Sequence, residues 1–291
     1  MNREMAEKIA NTVLYEGYML YPYRPSAVKN RQRWNFGTLY PPAYEEVVSG
    51  TERSRMHIEC LFQQTSGAEI MMRVRFLQLL PKQTEGWNDT AERSEEFKVA
   101  LVERESSRSY EIDGIRGSLK FSTEEIGIGK TKLTIDLANE SALAASATRE
   151  QALPIAMTSA HVLLYATGGE FVSLLDPPDD LRGAVAHCDN AGCFPVLVGE
   201  AGERDMLFCS PIILYDYPQI APESAGDFFD GTEMDEMLTL RVMTLTTEEK
   251  QAMSSADDRA RQLLERTEQS ALEQLRKTHG AIRSLRPVSK P

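Results

Sequence analysis

The stretch RMHIECLFQQTSGAEIMMRVRFLQLL, residues 55–80, decides the fold class. Its first part alternates between apolar and polar residues, and a period of two is typical of a strand with one buried face. A Thr-Ser-Gly sequence at 65–67 then favours a turn, and apolar residues resume after it. The stretch therefore predicts two antiparallel strands joined as a hairpin. The residues predicted to share the buried face of the first strand are Met56, Ile58, Cys60 and Phe62.

Further strand candidates follow along the chain. SAHVLLYAT and EFVSLL flank Gly168-Gly169, which predicts a second hairpin because glycine readily supplies the positive φ of a tight turn. The stretch GIGKT, residues 127–131, resembles a phosphate-binding loop, but Glu124 stands where that motif needs a glycine. Strand candidates also flank it, so a hairpin turn is expected instead. The other candidates are FKVALVER, GSLKFST, KTKLTIDLA, FPVLVG, MLFCSPIILY and MLTLRVMTL.

Helices are predicted mainly at the two ends of the chain. Residues 3–15 carry apolar side chains at four-residue steps. Near the other end, Thr246 with Glu249 and Ser270 with Glu273 have the spacing of a capping box, which marks a helix N-terminus. A further short helix is predicted for DPPDDLRGAVAHC, where two aspartates favour the positive end of the helix.

These elements predict an α+β fold. Its core is an antiparallel β-rich unit, either a sandwich or a strongly bent sheet, with a short N-terminal helix and C-terminal helices. Along the chain we expect an N-terminal helix with an aromatic and basic segment at 1–45, a β-rich core at 46–245 and a helical tail at 246–291. The three parts are expected to form one compact unit.

The composition limits the classes of function. The formal net charge is −12 at pH 7, which disfavours nucleic acid or an anionic membrane as the main partner. The first residues lack the apolar core of a signal peptide, and no apolar run is long enough for a membrane span. Four cysteines in 291 residues are ordinary for a reducing compartment. The sequence therefore favours a cytoplasmic protein.

No motif of a known reaction is found in the sequence. Gly-x-Ser-x-Gly and His-Glu-x-x-His are both absent, so no nucleophile or metalloprotease site is predicted. No cofactor is expected. A metal-binding carrier or metalloenzyme is the alternative, although His57 and Cys60 would point to opposite faces of one strand and could not share an ion. The ligands in that alternative would be His187, Cys188, Cys193 and Cys209.

Residues 205–240 form an acidic block with eight carboxylates and no lysine or arginine. The stretch DFFDGTEMDE within it lacks the ligand spacing of a calcium loop. A solvated acidic loop is therefore favoured, and carboxylates between Asp227 and Asp235 acting in a hydrolase or transferase form a third alternative.

An aromatic and basic segment near the start has the composition of an interface. Residues 17–44 contain four basic residues and no acidic one, interleaved with aromatic residues. Tyrosine, tryptophan and arginine anchor interfaces because they bring large contact areas and planar hydrogen bonding. The segment either packs across the protein's own sheet and faces the acidic block, or docks on another protein. The residues predicted to bind a partner are Tyr18, Tyr21, Tyr23, Arg24, Lys29, Arg31, Arg33 and Trp34.

Three blocks of the chain resemble a known family. They are VLYEGYMLYPYRPSAVKNRQRW, GGEFVSLLDPP and SPIILYDYPQIAPESAGDFFDGTEMDEMLTLRVMTLTTEEK. The blocks are similar to an uncharacterised family associated with the gene clusters of NiFe hydrogenases in aerobic bacteria. The resemblance implies a non-catalytic accessory role, in assembling a hydrogenase or as part of its complex. It implies a hydrogenase subunit or a maturation factor as the partner, and no catalytic residue.

Overall fold

The structure is a computed structural model that describes residues 3–17, 37–80, 90–220, 238, 241–256 and 258–278. Of Ser66 and residues 270–278 it describes the backbone alone. By its contacts the chain divides into two units, considered separately below. The first comprises Met1–Tyr18, Trp34–Gln83 and Asn88–Ile220, and the second comprises Met19–Arg33, Thr84–Trp87 and Ala221–Pro291.

The first unit confirms the predicted antiparallel β-rich core and the N-terminal helix. Two short 3₁₀ turns lie at Leu153–Ile155 and Asp179–Leu181. Its helices are α1 (Arg3–Tyr15), α2 (Pro42–Val47), α3 (Arg149–Ala152) and α4 (Arg182–Val185). Its strands are β1 (Arg55–Leu79), β2 (Thr90–Ala100), β3 (Glu105–Ile112), β4 (Ile115–Gly127), β5 (Lys130–Asn139), β6 (Thr158–Phe171), β7 (Phe194–Leu197) and β8 (Met206–Ser210).

The strands form one antiparallel sheet in the order β3-β4-β5-β1-β6-β8-β7. The 25-residue strand β1 is its spine. On one side, Arg55–Gln63 pairs with β5 and Glu69–Leu79 pairs with β2. On the other side, Phe62–Leu77 pairs with β6. One long strand therefore organises three neighbours, and β3 and β7 are left at the ends of the path.

The two predicted hairpins are wrong, because β1 and β6 each continue through the glycines. Gly67 and Gly168 do adopt positive φ, but they form an irregularity in the β1–β6 pairing rather than chain reversals. Four residues of β1 lie between Gln64 and Glu69, whereas one residue of β6 lies opposite them. The extra residues bulge out, and the alternation resumes in the same phase.

The inner faces of the strands enclose a single core. Buried side chains from β1, β2, β4, β5, β6, β7 and β8 contact one another there, and half-buried residues of β3 pack against them. Because all strands contribute to one cluster, the sheet is strongly bent around its own core. Helix α1 covers the opposite face of β6, β7 and β8 with Ala6, Ile9, Ala10 and Val13.

Outside the core, the predictions had mixed outcomes. The turn at Ile128-Gly129 joins β4 to β5, so the phosphate-loop resemblance of that stretch is indeed a hairpin turn. Strand β3 was not predicted. The predicted helix at DPPDDLRGAVAHC is confined to a 3₁₀ turn followed by α4.

In the second unit, α5 (Thr247–Ser254) begins at the predicted capping box of Thr246 and Glu249. Helix α6 (Asp258–Thr278) runs through Ser270, so a second helix start there was wrong. The strand predicted for MLTLRVMTL is also wrong, because Leu238 and residues 241–243 are helical. Among the described residues, no helix is both long and apolar enough to cross a membrane.

Candidate functional site

The end of the sheet formed by β7 is closed by the chain itself. β7 has four residues and pairs only with β8 on its inner side. On its outer side, the Leu197 amide donates to Asp216 Oδ1 at 2.8 Å and the Leu197 carbonyl accepts from the Tyr217 amide at 2.7 Å. Pro195 presents a ring nitrogen, which cannot donate, on the same side. The segment 211–217 therefore supplies the partners of both outward backbone groups of Leu197.

This closing segment exposes an apolar surface that we call the apolar strip. Alternate residues of the segment are divided between two sides: Ile212 and Leu214 pack with the α1 cluster, whereas Ile213 and Tyr215 are 73% and 81% exposed. Nine large hydrophobic residues are exposed in the described part of the chain. Three of them lie in or just after this segment, and two lie in stretches that are hydrogen-bonded to it or pair with the strand before it. The apolar strip comprises Leu175, Phe194, Ile213, Tyr215 and Ile220.

A hydrogen-bonded centre at Asp216 holds the strip together. Asp216 Oδ2 accepts from the Ser173 hydroxyl, and that hydroxyl oxygen accepts from the Leu175 amide at 3.1 Å. Leu175 is thereby joined to the segment that carries Ile213 and Tyr215. Phe194 lies next to the start of the segment, because it pairs with Ser210, the residue before Pro211. Fixed backbone and apolar side chains together give a preformed surface.

The strip continues toward the first turns of α1. Gln219 and Ile220 line an open depression of about 480 Å³ together with Glu4, Met5 and Ile9. One wall of this depression is apolar and its rim is charged. An apolar centre with a polar rim is the usual anatomy of a protein-binding surface.

The predicted partner-binding residues lie outside the described residues. Tyr18, Tyr21, Tyr23, Arg24, Lys29, Arg31, Arg33 and Trp34 all fall within 18–36. Three other tyrosines around that segment lie inside the fold. Tyr15 is buried and donates to Glu92, and Tyr40 and Tyr44 are buried with their ring centroids 4.8 Å apart. Of the acidic block, the described carboxylates include Asp216, which is the centre of the strip.

The residues of the metal alternative are not arranged as a site. Among the described residues, no three His, Cys, Asp or Glu side chains are grouped so that they could hold a metal ion. His187 is exposed, and its Nδ1 lies 2.6 Å from the Gly183 carbonyl oxygen. Burial raises the pKa of Cys193 to about 12 and also raises the pKa values of Cys188 and Cys209. Burial therefore favours the protonated thiol at these three positions, and a metal would have to displace those protons to bind.

A polar network lies on the outer face of β1 and β5. His57 Nδ1 is 2.7 Å from Asp136 Oδ1, and His57 Nε2 is 3.7 Å from Glu59 Oε1. Glu59 also pairs with Lys132 at 2.7 Å, and the side chain of Asn190 bonds to the backbone amide and carbonyl of Glu59. Both ring nitrogens of His57 thus face carboxylates rather than a hydroxyl nucleophile. The arrangement ties the loop before β7 to β1.

The charges of this network are fixed by its contacts. Burial tends to raise the pKa of Glu59, but hydrogen bonds from Lys132 and from the Asp189 amide outweigh it, so the pKa is lowered. The hydrogen bond to Glu59 correspondingly raises the pKa of Lys132. Both groups are therefore charged at neutral pH. A stable ion pair does not supply the titrating group that acid–base catalysis needs.

Sequence reasoning missed the apolar strip for an identifiable reason. The stretch MLFCSPIILY reads as one strand, and alternate residues of a strand are divided between a buried and an exposed face. β8 ends at Ser210, however, and Pro211 begins the closing segment. The two adjacent aliphatic residues after this proline, followed by Leu-Tyr, were the available signal. No protein-family model and no curated protein matches this chain.

Proposed function

We propose that the protein is a non-catalytic accessory protein that acts by binding another protein. The observation that carries the proposal is the apolar strip around Asp216. Monomeric proteins rarely expose several large apolar side chains together, because leaving them in water forgoes the free energy of burial. A partner surface that covers these apolar side chains recovers that free energy of burial.

The identity of the partner follows from the resemblance. A subunit of a NiFe hydrogenase, or a factor that matures one, is the partner that the resembling blocks imply. Two of those blocks meet at the apolar strip, since Ser173 and Leu175 belong to one and Ile213, Tyr215 and Asp216 to another. This meeting supports the strip as the docking surface. The aromatic and basic segment, the third block, would add arginine contacts to carboxylates of the same partner.

Co-purification with hydrogenase subunits tests the proposal. The tagged protein is co-expressed with the large and small subunits of a NiFe hydrogenase, singly and together. The first variant combines Ile213→Ser and Tyr215→Ser. The matched control combines Val102→Ser and Ile128→Ser, which removes two exposed apolar side chains from turns elsewhere on the first unit.

We expect the strip variant to lose most of the bound subunit and the control to retain it. Central apolar and aromatic anchors each contribute about 2 kcal/mol or more to an interface, which corresponds to a more than tenfold loss per residue. A third variant, Arg24→Ala with Arg31→Ala and Arg33→Ala, tests the basic segment in the same assay. Equal recovery of the subunits by the wild type, the strip variant and the control would reject the strip as the docking surface.

A further inference from the structure

At the opposite end of the strand order, β3 pairs with β4 on one side, and no described strand pairs with its other side. β3 and β4 are joined by Asp113-Gly114, both with positive φ, in a two-residue turn that pairs Ile112 with Ile115. In such a hairpin the residues that flank the turn exchange both backbone hydrogen bonds, and every second residue repeats this pattern. The backbone groups of the alternate residues must then point away from β4. Those residues are Glu105, Ser107, Ser109 and Glu111.

The Ser107 carbonyl among these outward groups accepts from Nη1 of the exposed Arg108 side chain at 3.1 Å. Among the described residues, no other hydrogen bond from outside the β3–β4 pairing reaches the backbone amides or carbonyls of Glu105, Ser107, Ser109 or Glu111. All four side chains are exposed. The eight residues of β3 span about 26 Å at about 3.3 Å per residue. This length is sufficient for a further strand of several residues.

The contrast with β7 makes the open edge informative. Proteins usually protect terminal strands by making them short, by placing proline or lysine on them, or by covering them. The edge of β7 is protected in three of these ways, since it is short, carries Pro195 and is covered by the segment ending at Tyr217. β3 has neither proline nor lysine, and no other segment covers it among the described residues, although it carries the exposed charged side chains of Glu105, Arg108 and Glu111. Within the described part of the chain, the edge at β7 is therefore covered and the edge at β3 is not.

We infer that β3 accepts an extended basic peptide segment of a protein partner as an additional antiparallel strand. Addition of a strand supplies main-chain hydrogen bonds, while alternate side chains of the peptide provide specificity. The inference deepens the proposed function, and rests on it, because it adds a second contact between this protein and a partner. The peptide's main chain would pair with the outward amides and carbonyls of these four residues and would displace the exposed Arg108 side chain from the Ser107 carbonyl.

The charges at the edge indicate a basic occupant. The outward row begins and ends with the carboxylates of Glu105 and Glu111, with the exposed cation of Arg108 between them. Arg116 already pairs with Glu111 at 3.1 Å, whereas Glu105 has no ion-pair partner among the described residues, so Glu105 is the carboxylate available to a basic occupant. An open depression of about 470 Å³ starts at this edge and extends across β4 to Asp136 of β5. Two carboxylates and one lysine, Lys120, line it, along with serine and threonine hydroxyls. A lysine or arginine of the added strand that lies across this depression would meet net negative charge.

The inner side of the edge favours apolar residues at the alternate positions of the peptide. Tyr110 and Ile112 are only half-buried and pack against the core, and the Tyr110 ring lies 5.7 Å from that of Phe97 on β2. A second copy of β3 fits this edge poorly. Antiparallel pairing centred on Arg108 would place Glu105 of one copy opposite Glu111 of the other, and like charges opposite each other are destabilising.

The test uses a designed probe peptide and the full-length protein. The probe is the capped peptide acetyl-KVTVTVK-amide, and its matched control, acetyl-EVTVTVE-amide, reverses the charge. Binding is measured by titration, and amide hydrogen exchange then shows which residues of β3 become protected. We expect the basic peptide to protect the amides of Glu105, Ser107, Ser109 and Glu111 and the acidic peptide to bind about tenfold more weakly or not at all.

Two proline variants distinguish the loss of an outward edge hydrogen bond from the loss of folding stability. Ser109→Pro removes an outward N–H, which an edge strand tolerates. The variant should bind the basic peptide about tenfold or more weakly, while its unfolding free energy is nearly unchanged. Arg108→Pro removes an N–H that bonds to β4 and should lower stability instead. Glu105→Lys leaves the backbone intact and should weaken binding of the basic peptide and strengthen binding of the acidic one.

Each contrary result has a defined meaning. Equal binding of the basic peptide by the wild type and by Ser109→Pro, or no binding by the wild type, would overturn the inference. Protection of the four amides in the free protein, with a dimer in sedimentation equilibrium, would identify a second copy as the occupant and would also overturn it. None of these results involves the apolar strip, so the hydrogenase co-purification above succeeds or fails independently.

Discussion

The buried imidazole of His161 should make the stability of the protein depend on pH, and replacing it should remove a measurable part of that dependence. His161 is 0% exposed, and its Nδ1 lies 2.8 Å from the Ser159 carbonyl oxygen. Its Nε2 has no hydrogen-bond partner. Burial lowers the pKa of His161 to about 3; the bond to Ser159 opposes this effect, and the cations of Arg75 and Arg73 add to it.

The size of the effect follows from proton linkage. The folded-state pKa lies below the unfolded value of about 6.5, so the unfolded chain binds the additional proton and stability falls as the pH decreases from about 6.5 toward about 3. At pH 5 the unfolded state gains about 2 kcal/mol from protonating this ring, compared with about 0.2 kcal/mol at pH 7. His161 should therefore account for about 2 kcal/mol of the stability lost between these two pH values.

Urea unfolding at pH 7 and pH 5 measures this difference. His161→Asn retains an N–H donor near the Nδ1 position but does not titrate. Between pH 7 and pH 5, the unfolding free energy of the variant should therefore fall by about 2 kcal/mol less than that of the wild type. Carboxylates titrate in both proteins and cancel in the comparison. His187→Gln, at an exposed position, is the control and should lose as much as the wild type. Equal losses for the wild type and His161→Asn, within about 0.5 kcal/mol, would refute the reasoning.

Two further predictions concern the frame that positions the apolar strip and β3. The buried side chain of Asn139 donates to two backbone carbonyls and accepts from the Ser141 amide, so Asn139→Ala should cost about 3 kcal/mol of unfolding free energy, measured in urea; a cost below about 1 kcal/mol would contradict the role of these bonds. Gly169→Ala places a Cβ 2.4 Å from Cζ of Phe62 and should lower the unfolding free energy by about 2 kcal/mol. Gly183→Ala meets nothing within 4 Å and serves as the matched control; if both alanine variants unfold alike, the close contact is not significant.

The fold class could be predicted because alternation is a local signal. The apolar phase of β1 is carried by Phe62 before the bulge and Ile70 after it, both on the core side of the sheet. That continuity of phase was the sign of an uninterrupted strand, but Thr-Ser-Gly and Gly-Gly are equally compatible with turns. Only the pairing of the two glycine sites with each other, Gln64 opposite Gly169, distinguishes a bulge from a reversal. Such pairing is non-local and leaves no mark in either segment alone.

The candidate sites were harder to predict for the same physical reason. β3, with the sequence ESSRSYEI, lacks apolar alternation because both of its faces are largely exposed. The role of Asp216 depends on Ser173 and Leu197, which are far from it in the sequence or in another strand. The acidic composition of the block around Asp216 was visible, but its use as a hydrogen-bonding centre was not. The partner-binding surface predicted from the aromatic and basic segment lies outside the described residues and stays a prediction, whereas the apolar strip became visible only through tertiary contacts.

Covalent side-chain footprinting of the apolar strip in a complex with a NiFe hydrogenase tests the central claim most directly. A photoactivated carbene reagent labels exposed side chains in the free protein and in the purified complex, and mass spectrometry measures the label on each residue. We expect a several-fold decrease of label at Ile213 and Tyr215 on complex formation, with unchanged label at Val102 and Ile128. Full labelling of Ile213 and Tyr215 in the complex would show that the partner does not bind at the apolar strip.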